Sequence, residues 1–184
     1  LVGPVLAWAE ERPVFLARMS VLMGASLGIY TGVLLGTMAS RPLWNSALLG
    51  PLFLVSGLST GAAFMLLVRL KDSERKELGR TDMWLILAEL ALLGLWMVGL
   101  ATGGAAAQEA LAVLFGGPYT AAFWTLVVAL GLLAPLVGEW LEFKHDAVPG
   151  KGTAVLVLLG GFALRWILVY AGQATSWVSD IAMR

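Results

Sequence analysis

Residues 83–103 read MWLILAELALLGLWMVGLATG, an apolar run with one ionisable side chain, Glu89, inside it. At about 1.5 Å of rise per residue, a helix of this length covers roughly 30 Å, the thickness of a bilayer's hydrocarbon core. Lipid offers a backbone amide no partner, so each must be satisfied within its own segment, and a helix does that. Four more runs of this kind lie near residues 14–38, 47–69, 120–141 and 153–173. The expected fold is therefore all-α: a polytopic membrane bundle of five transmembrane helices, one domain over residues 1–184.

Composition agrees. The chain is 59% hydrophobic and 13% charged, where soluble domains carry about a quarter charged residues. A formal net charge of zero gives no electrostatic basis for nucleic-acid binding. With no cysteine, the chain has no disulfide, no thiol chemistry and no ligand for an iron–sulfur cluster. It begins on Leu1 within an apolar stretch, without a signal-peptide pattern, and reads as a piece of a longer protein.

Charge sorts the connections. Arg12 and Arg18 flank the start of the first span. Arg69, Lys71, Arg75, Lys76 and Arg80 crowd the second connection, and Lys144 and Lys151 lie in the fourth. The other side has Arg41 and the terminal Arg184, and residues 104–119 hold no Lys or Arg. The positive-inside rule then starts the first span in the cytoplasm and leaves the C-terminus outside. Trp44, Trp84, Trp124 and Trp140 fall near span ends, as an aromatic belt requires. Residues 71–80, KDSERKELGR, read as a charged cytoplasmic loop. Residues 103–120, GGAAAQEALAVLFGGPYT, are too apolar for a solvated loop and predict a short interfacial helix on the outer face.

Small residues mark helix contacts. Ser20, Gly24, Gly28, Gly32 and Gly36 recur every fourth position of the first span, a stripe along which a neighbouring backbone can approach. Tyr30 lies on nearly the opposite face, which Ser26 and Thr37 share. Its phenol fits either packing between helices, with the hydroxyl on a carbonyl, or a donor facing a ligand cavity. In the second span, SGLSTGAAF (residues 56–64) pairs Gly57 with Gly61 and Ser56 with Thr60, which reads as packing.

Charges inside a span are expensive and mark sites. Counting from the inner face, Glu139 lies at about 3 Å, Glu89 at about 9 Å, Arg165 at about 18 Å and Tyr30 at about 24 Å. Glu89, Arg165 and Glu139 can be rungs of a proton path. Alternatively, Glu89 and Arg165 form an ion pair that only braces helices, and Glu139 snorkels to the inner surface. The single histidine, His145, sits in a polar connection, so no span supplies a haem ligand. PGKGT at residues 149–153 misses the phosphate-loop pattern because Gly152 follows Lys151. No metal cluster, triad or dinucleotide fingerprint is present.

Four stretches carry a family resemblance. They are YTGVLLGTMASRPLWN (30–45), PLFLVSGLSTGAAF (51–64), FWTLVVALGLLAPL (123–136) and GGFALRWILVYAGQ (160–173). In this order they resemble the membrane subunit of polysulfide reductase and its relatives, the NrfD-like family. The resemblance implies a subunit of about eight or more spans, of which this chain is similar to the C-terminal five, in a bacterial or archaeal cytoplasmic membrane. It implies an iron–sulfur, ferredoxin-like partner, a molybdopterin catalytic subunit, and electron exchange with menaquinone or ubiquinone. It also implies no haem and no iron–sulfur cluster in this subunit.

By the same resemblance, Tyr30 would contact the quinone headgroup near the outer face. The family's Asn and His headgroup contacts belong to a span that this chain lacks. Arg41, Trp44 and Asn45 would end the first span on the outer face, where the iron–sulfur partner docks. Two other readings stand beside this one. The first is a structural anchor with no quinone site of its own. The second is a secondary transporter, although the halves of the chain show no repeat of the kind such proteins use.

Overall fold

A computed structural model describes residues 12–175. Arg184 and the other residues beyond these bounds, which figure in the topology expectation, lie outside the described residues. Five helices are long and apolar enough to cross a membrane: α1 (Pro13–Gly36), α2 (Leu49–Leu67), α3 (Asp72–Ala101), α5 (Thr120–Lys144) and α6 (Lys151–Ala174). A shorter helix, α4 (Ala105–Phe115), follows α3. It runs between Gly103-Gly104 and Gly116-Gly117, as its glycine-flanked sequence predicts.

One boundary differs from expectation. Residues 71–80 do not form a loop: α3 begins at Asp72 and continues without a break through the apolar run. Lys71 opens it, and the Glu74 carboxylate accepts the Lys71 backbone N–H at 3.0 Å, satisfying a donor next to the helix start. Asp72 and Glu74 also place negative charge at the positive end of the helix dipole. Local capping extends the helix well past the membrane run.

α2 is the hub. It packs against α1, α3 and α6, while α6 also packs along α5. The small-residue stripes place these contacts. A Cβ on Gly28 would sit 3.2 Å from Leu54, and one on Gly32 would collide with the Leu49 carbonyl, so α1 reaches α2 through its glycines. α6 reaches α5 the same way, with Gly160 against Gly131. The core between them includes Leu52, Leu66, Ile86, Trp96, Phe123 and Leu164, all fully buried. α1 is the least covered span, with 6% of its most apolar window buried.

α5 is not uniform: residues Phe123–Leu133 are π-helical. Pro135 follows directly, within the first turn of the α-helical part, Ala134–Lys144. Proline has no N–H to give and its ring crowds the carbonyl four residues back, which here belongs to Gly131. Widening the preceding turns relieves that crowding and keeps the span continuous.

A polar line through the bundle as candidate functional site

The apolar packing between α2, α3, α5 and α6 is interrupted by a sequence of polar side chains. At the basic end, Lys76, Arg80, Glu139, Glu142 and Asp146 surround a cavity of about 60 Å³. The Lys76 ammonium lies 2.8 Å from the Asp146 carboxylate, and this contact holds the Asp146 carboxyl below the usual aspartate range. Asp146 takes φ 51°, the left-handed conformation that Asp tolerates better than most residues. Behind this mouth, about one turn before the end of α5, Glu139 is 3% exposed.

Glu139 meets Asp82 of α3, whose side chain is fully buried. Ser59 of α2 donates its hydroxyl to Asp82 Oδ1 at 2.6 Å. One turn along α2 from Ser59 is Ser56, also fully buried. Its hydroxyl accepts an N–H of Arg165 at 3.3 Å and faces the Glu89 carboxyl. Arg165 also donates to the Gly161 carbonyl at 2.8 Å and lies over the Phe53 ring at 5.9 Å. The line ends in a second cavity, of about 370 Å³, walled by Arg165 with Gly24, Gly28 and Thr31 of α1 and Phe53 and Gly57 of α2.

Small residues create this geometry. The Gly161 position holds no Cβ where Thr60, Arg165 and Ser56 converge, and Gly57 leaves room for the Arg165 guanidinium. The glycine and serine spacing that reads as helix packing in SGLSTGAAF therefore serves two ends. It brings α2 close to α6, and it lays hydroxyls beside the buried charges.

The expected residues fall into three groups. Glu89 and Arg165 both lie beside Ser56, whose hydroxyl accepts from Arg165, and among the described residues no ion pair joins them directly. Glu139 does not snorkel. Its side chain turns inward because Asp82 and the cavity give its carboxyl a polar setting that the apolar flank of α5 would not. Tyr30 stands apart, 59% exposed on the uncovered face of α1, and nothing among the described residues accepts its hydroxyl.

The residues after α1 have visible structural contacts. Arg41 donates to the carbonyls of Gln173 at 2.5 Å and Thr175 at 2.7 Å, satisfying the acceptors left open at the end of α6. Trp44 is buried, and its indole N–H donates to the Leu168 carbonyl at 2.7 Å while the ring lies on Gly172. Asn45 is exposed.

Asp82 is the residue that sequence reasoning missed. It precedes the apolar run by one position and follows five basic residues, so it reads as the end of a polar loop. The available signal was Ser59, a further hydroxyl in the α2 motif, lying midway between Gly57 and Gly61.

The family model for polysulphide reductase, NrfD, matches residues 3–177. A polysulfide reductase polypeptide of Wolinella succinogenes is 35% identical over 91% of this chain and 56% of its own length. Protein NrfD of Escherichia coli is 35% identical over 87% of this chain and 53% of its own. A tetrathionate reductase subunit of Salmonella typhimurium is 27% identical over 84% of this chain and 44% of its own. The chain thus spans about half the length of the curated relatives it matches. No solved structure matches it. The matched residues run through all five spans and every group of the polar line, and the chain belongs to the NrfD polysulphide reductase family of multi-pass membrane proteins.

Proposed function

We propose that this chain is the membrane anchor and quinone-interacting part of a respiratory oxidoreductase. It passes electrons between a membrane quinone, menaquinone or ubiquinone, and an iron–sulfur partner, with a molybdopterin subunit beyond. The polar line of Glu139, Asp82, Glu89 and Arg165 carries this reading. Burying three carboxyl groups and part of a guanidinium inside a membrane bundle is costly, more than an anchor that only holds partners in place requires. A quinone gives them a use, because its reduction and oxidation move protons as well as electrons.

In this account Tyr30 offers its hydroxyl to a quinone oxygen on the open face of α1, near the end where α1 leads to Arg41. Arg41 and Trp44 tie the connection to α6 and so fix the exposed Asn45 for a partner on the same side. The ionisable line supplies protons along the bundle from the basic end, by transfers between neighbouring groups and water. Tyr30 lies on the face of α1 turned away from α2, and the line runs on the other side of α1, so the two communicate through the α1–α2 contact, where Gly28 and Gly32 are closest. The membrane concerned is the bacterial or archaeal cytoplasmic membrane.

The test is to purify the complex from membranes, identify the subunits that travel with this chain, and measure the quinone extracted from it. The expected result is an iron–sulfur subunit and bound quinone in comparable amounts. An iron–sulfur subunit with no quinone and no quinol-linked activity would establish the structural anchor instead.

A further inference from the structure

At the basic end of the line two carboxyl groups meet with no cation between them. Ser59 occupies Asp82 Oδ1. Asp82 Oδ2 and both oxygens of Glu139 receive no donor from any other described residue. α3 packs against the Ala134–Lys144 part of α5, and Gly79, one turn before Asp82, lines the same cavity as Glu139, so the two carboxyls face one another; both side chains are at least nine-tenths buried. Two ionised carboxylates so placed repel strongly where little water screens them. A proton placed between them turns that repulsion into a charge-assisted hydrogen bond that engages Asp82 Oδ2 and one of the two Glu139 oxygens, leaving the other Glu139 oxygen for water in the adjoining cavity.

The neighbouring charges leave this as the simplest solution. From α5, Glu142 faces Glu139 and adds negative charge; its Oε1 is held by the Gly150 N–H at 2.9 Å, and its Oε2 has no donor. From α3, Glu89 lies on the far side of Asp82. The cations at this end, Lys76 and Arg80, are engaged with Asp146 and Glu77 at the mouth. α2 contributes the Ser59 hydroxyl, already used.

Access is one-sided. Glu139 forms part of the wall of the 60 Å³ cavity, whereas Asp82 does not. That volume has room for about one or two waters. We propose that Asp82 and Glu139 form a proton-holding pair, sharing one proton that is taken from and returned to water in this cavity. On loading, a hydronium ion arriving through the cavity water gives its proton to the pair and becomes water; on release, a water takes the proton and leaves as hydronium, and no other atom or electron moves. The proposal rests on the functional reading above only for where the proton goes next. The pair itself is tested separately.

Infrared spectroscopy of the purified complex in lipid at neutral pH, in H2O and D2O, is the experiment. The expected result is a carboxylic-acid C=O band that shifts in D2O and is unchanged by sodium. Asp82→Asn and Glu139→Gln should each remove it, since the amide N–H then donates to the remaining carboxylate, and the double variant should remove nothing further. Absence of the band in the unaltered complex, or its survival in both single variants, would overturn the proposal without any assembly question arising. Loss of the band on adding sodium would also overturn it, by showing a cation site. A band that behaves as expected in a complex with no quinol activity supports the pair while removing the quinone reading.

Discussion

Gly131 of α5 and Gly160 of α6 touch backbone to backbone: a Cβ built on Gly131 would lie 2.5 Å from the Gly160 Cα. The approach sits at the end of the π-helical stretch, so the widened turns and the glycine pair together set how α5 lies on α6. Gly160→Val should therefore lower stability by about 1–3 kcal/mol or more, the cost of overpacking a filled contact. Gly94→Ala is the control, because nothing lies within 4 Å of its Cβ position. It should be neutral, or stabilising by about 0.5–1 kcal/mol through helix propensity. Thermal unfolding in detergent compares the two.

The five spans and the α1 glycine stripe, through which Gly28 and Gly32 meet α2, were legible in the sequence because both follow from local rules, whereas Gly61 meets nothing within 4 Å and the Gly131–Gly160 contact was not read. A run of apolar residues has one stable form in lipid, and a small residue every fourth position lies on one face. The π-helical part of α5 was not legible, since FWTLVVALGLL fits an α-helix equally well and the proline's effect depends on the turn before it. Of the polar line, Glu89, Arg165 and Glu139 stood out as charges in apolar runs. Their partners did not. Ser56 lies beside both Arg165 and Glu89, and Asp82 faces Glu139, only because α2 packs on α3 and α6, and α3 on α5, at registers that no periodicity states.

The Lys76–Asp146 pair closes the mouth at the basic end and predicts a pH dependence. The folded-state pKa of Asp146 is lowered, so the pair's contribution is present above the ordinary aspartate range and is lost as pH falls through the lowered value. Asp146→Asn keeps a residue that tolerates the left-handed backbone and removes the charge. The difference in unfolding midpoint between the two proteins should be small, weaken with added salt, and vanish in acid. A difference that grows as pH falls would contradict the assignment.

Orientation is testable with single cysteines, since the chain has none of its own. A cysteine at Ser73, near the start of α3, should resist an impermeant thiol reagent in intact cells. One at Gln108, on α4, should label. The reverse pattern would turn the whole chain over, putting the Arg41–Asn45 side in the cytoplasm and the mouth of the polar line outside.

Tyr30→Phe removes one hydroxyl and keeps the ring. Because the side chain is exposed and nothing among the described residues accepts its hydroxyl, assembly should be unaffected. A lost hydrogen bond to a bound headgroup costs on the order of 1 kcal/mol, roughly fivefold in quinone affinity. Unchanged affinity and turnover would leave Tyr30 as a packing residue for whatever covers α1.

Glu89→Gln tests the polar line most directly, with complex yield and quinol-linked turnover measured on the same preparation. The amide keeps the size of the carboxyl and can still pair with Ser56, so the account predicts a normal yield. It cannot pass a proton, so turnover should fall on the order of tenfold or more, with an altered pH profile. Poor yield with normal specific activity in the assembled fraction would contradict the account, and would show that Glu89 only braces the bundle against Arg165.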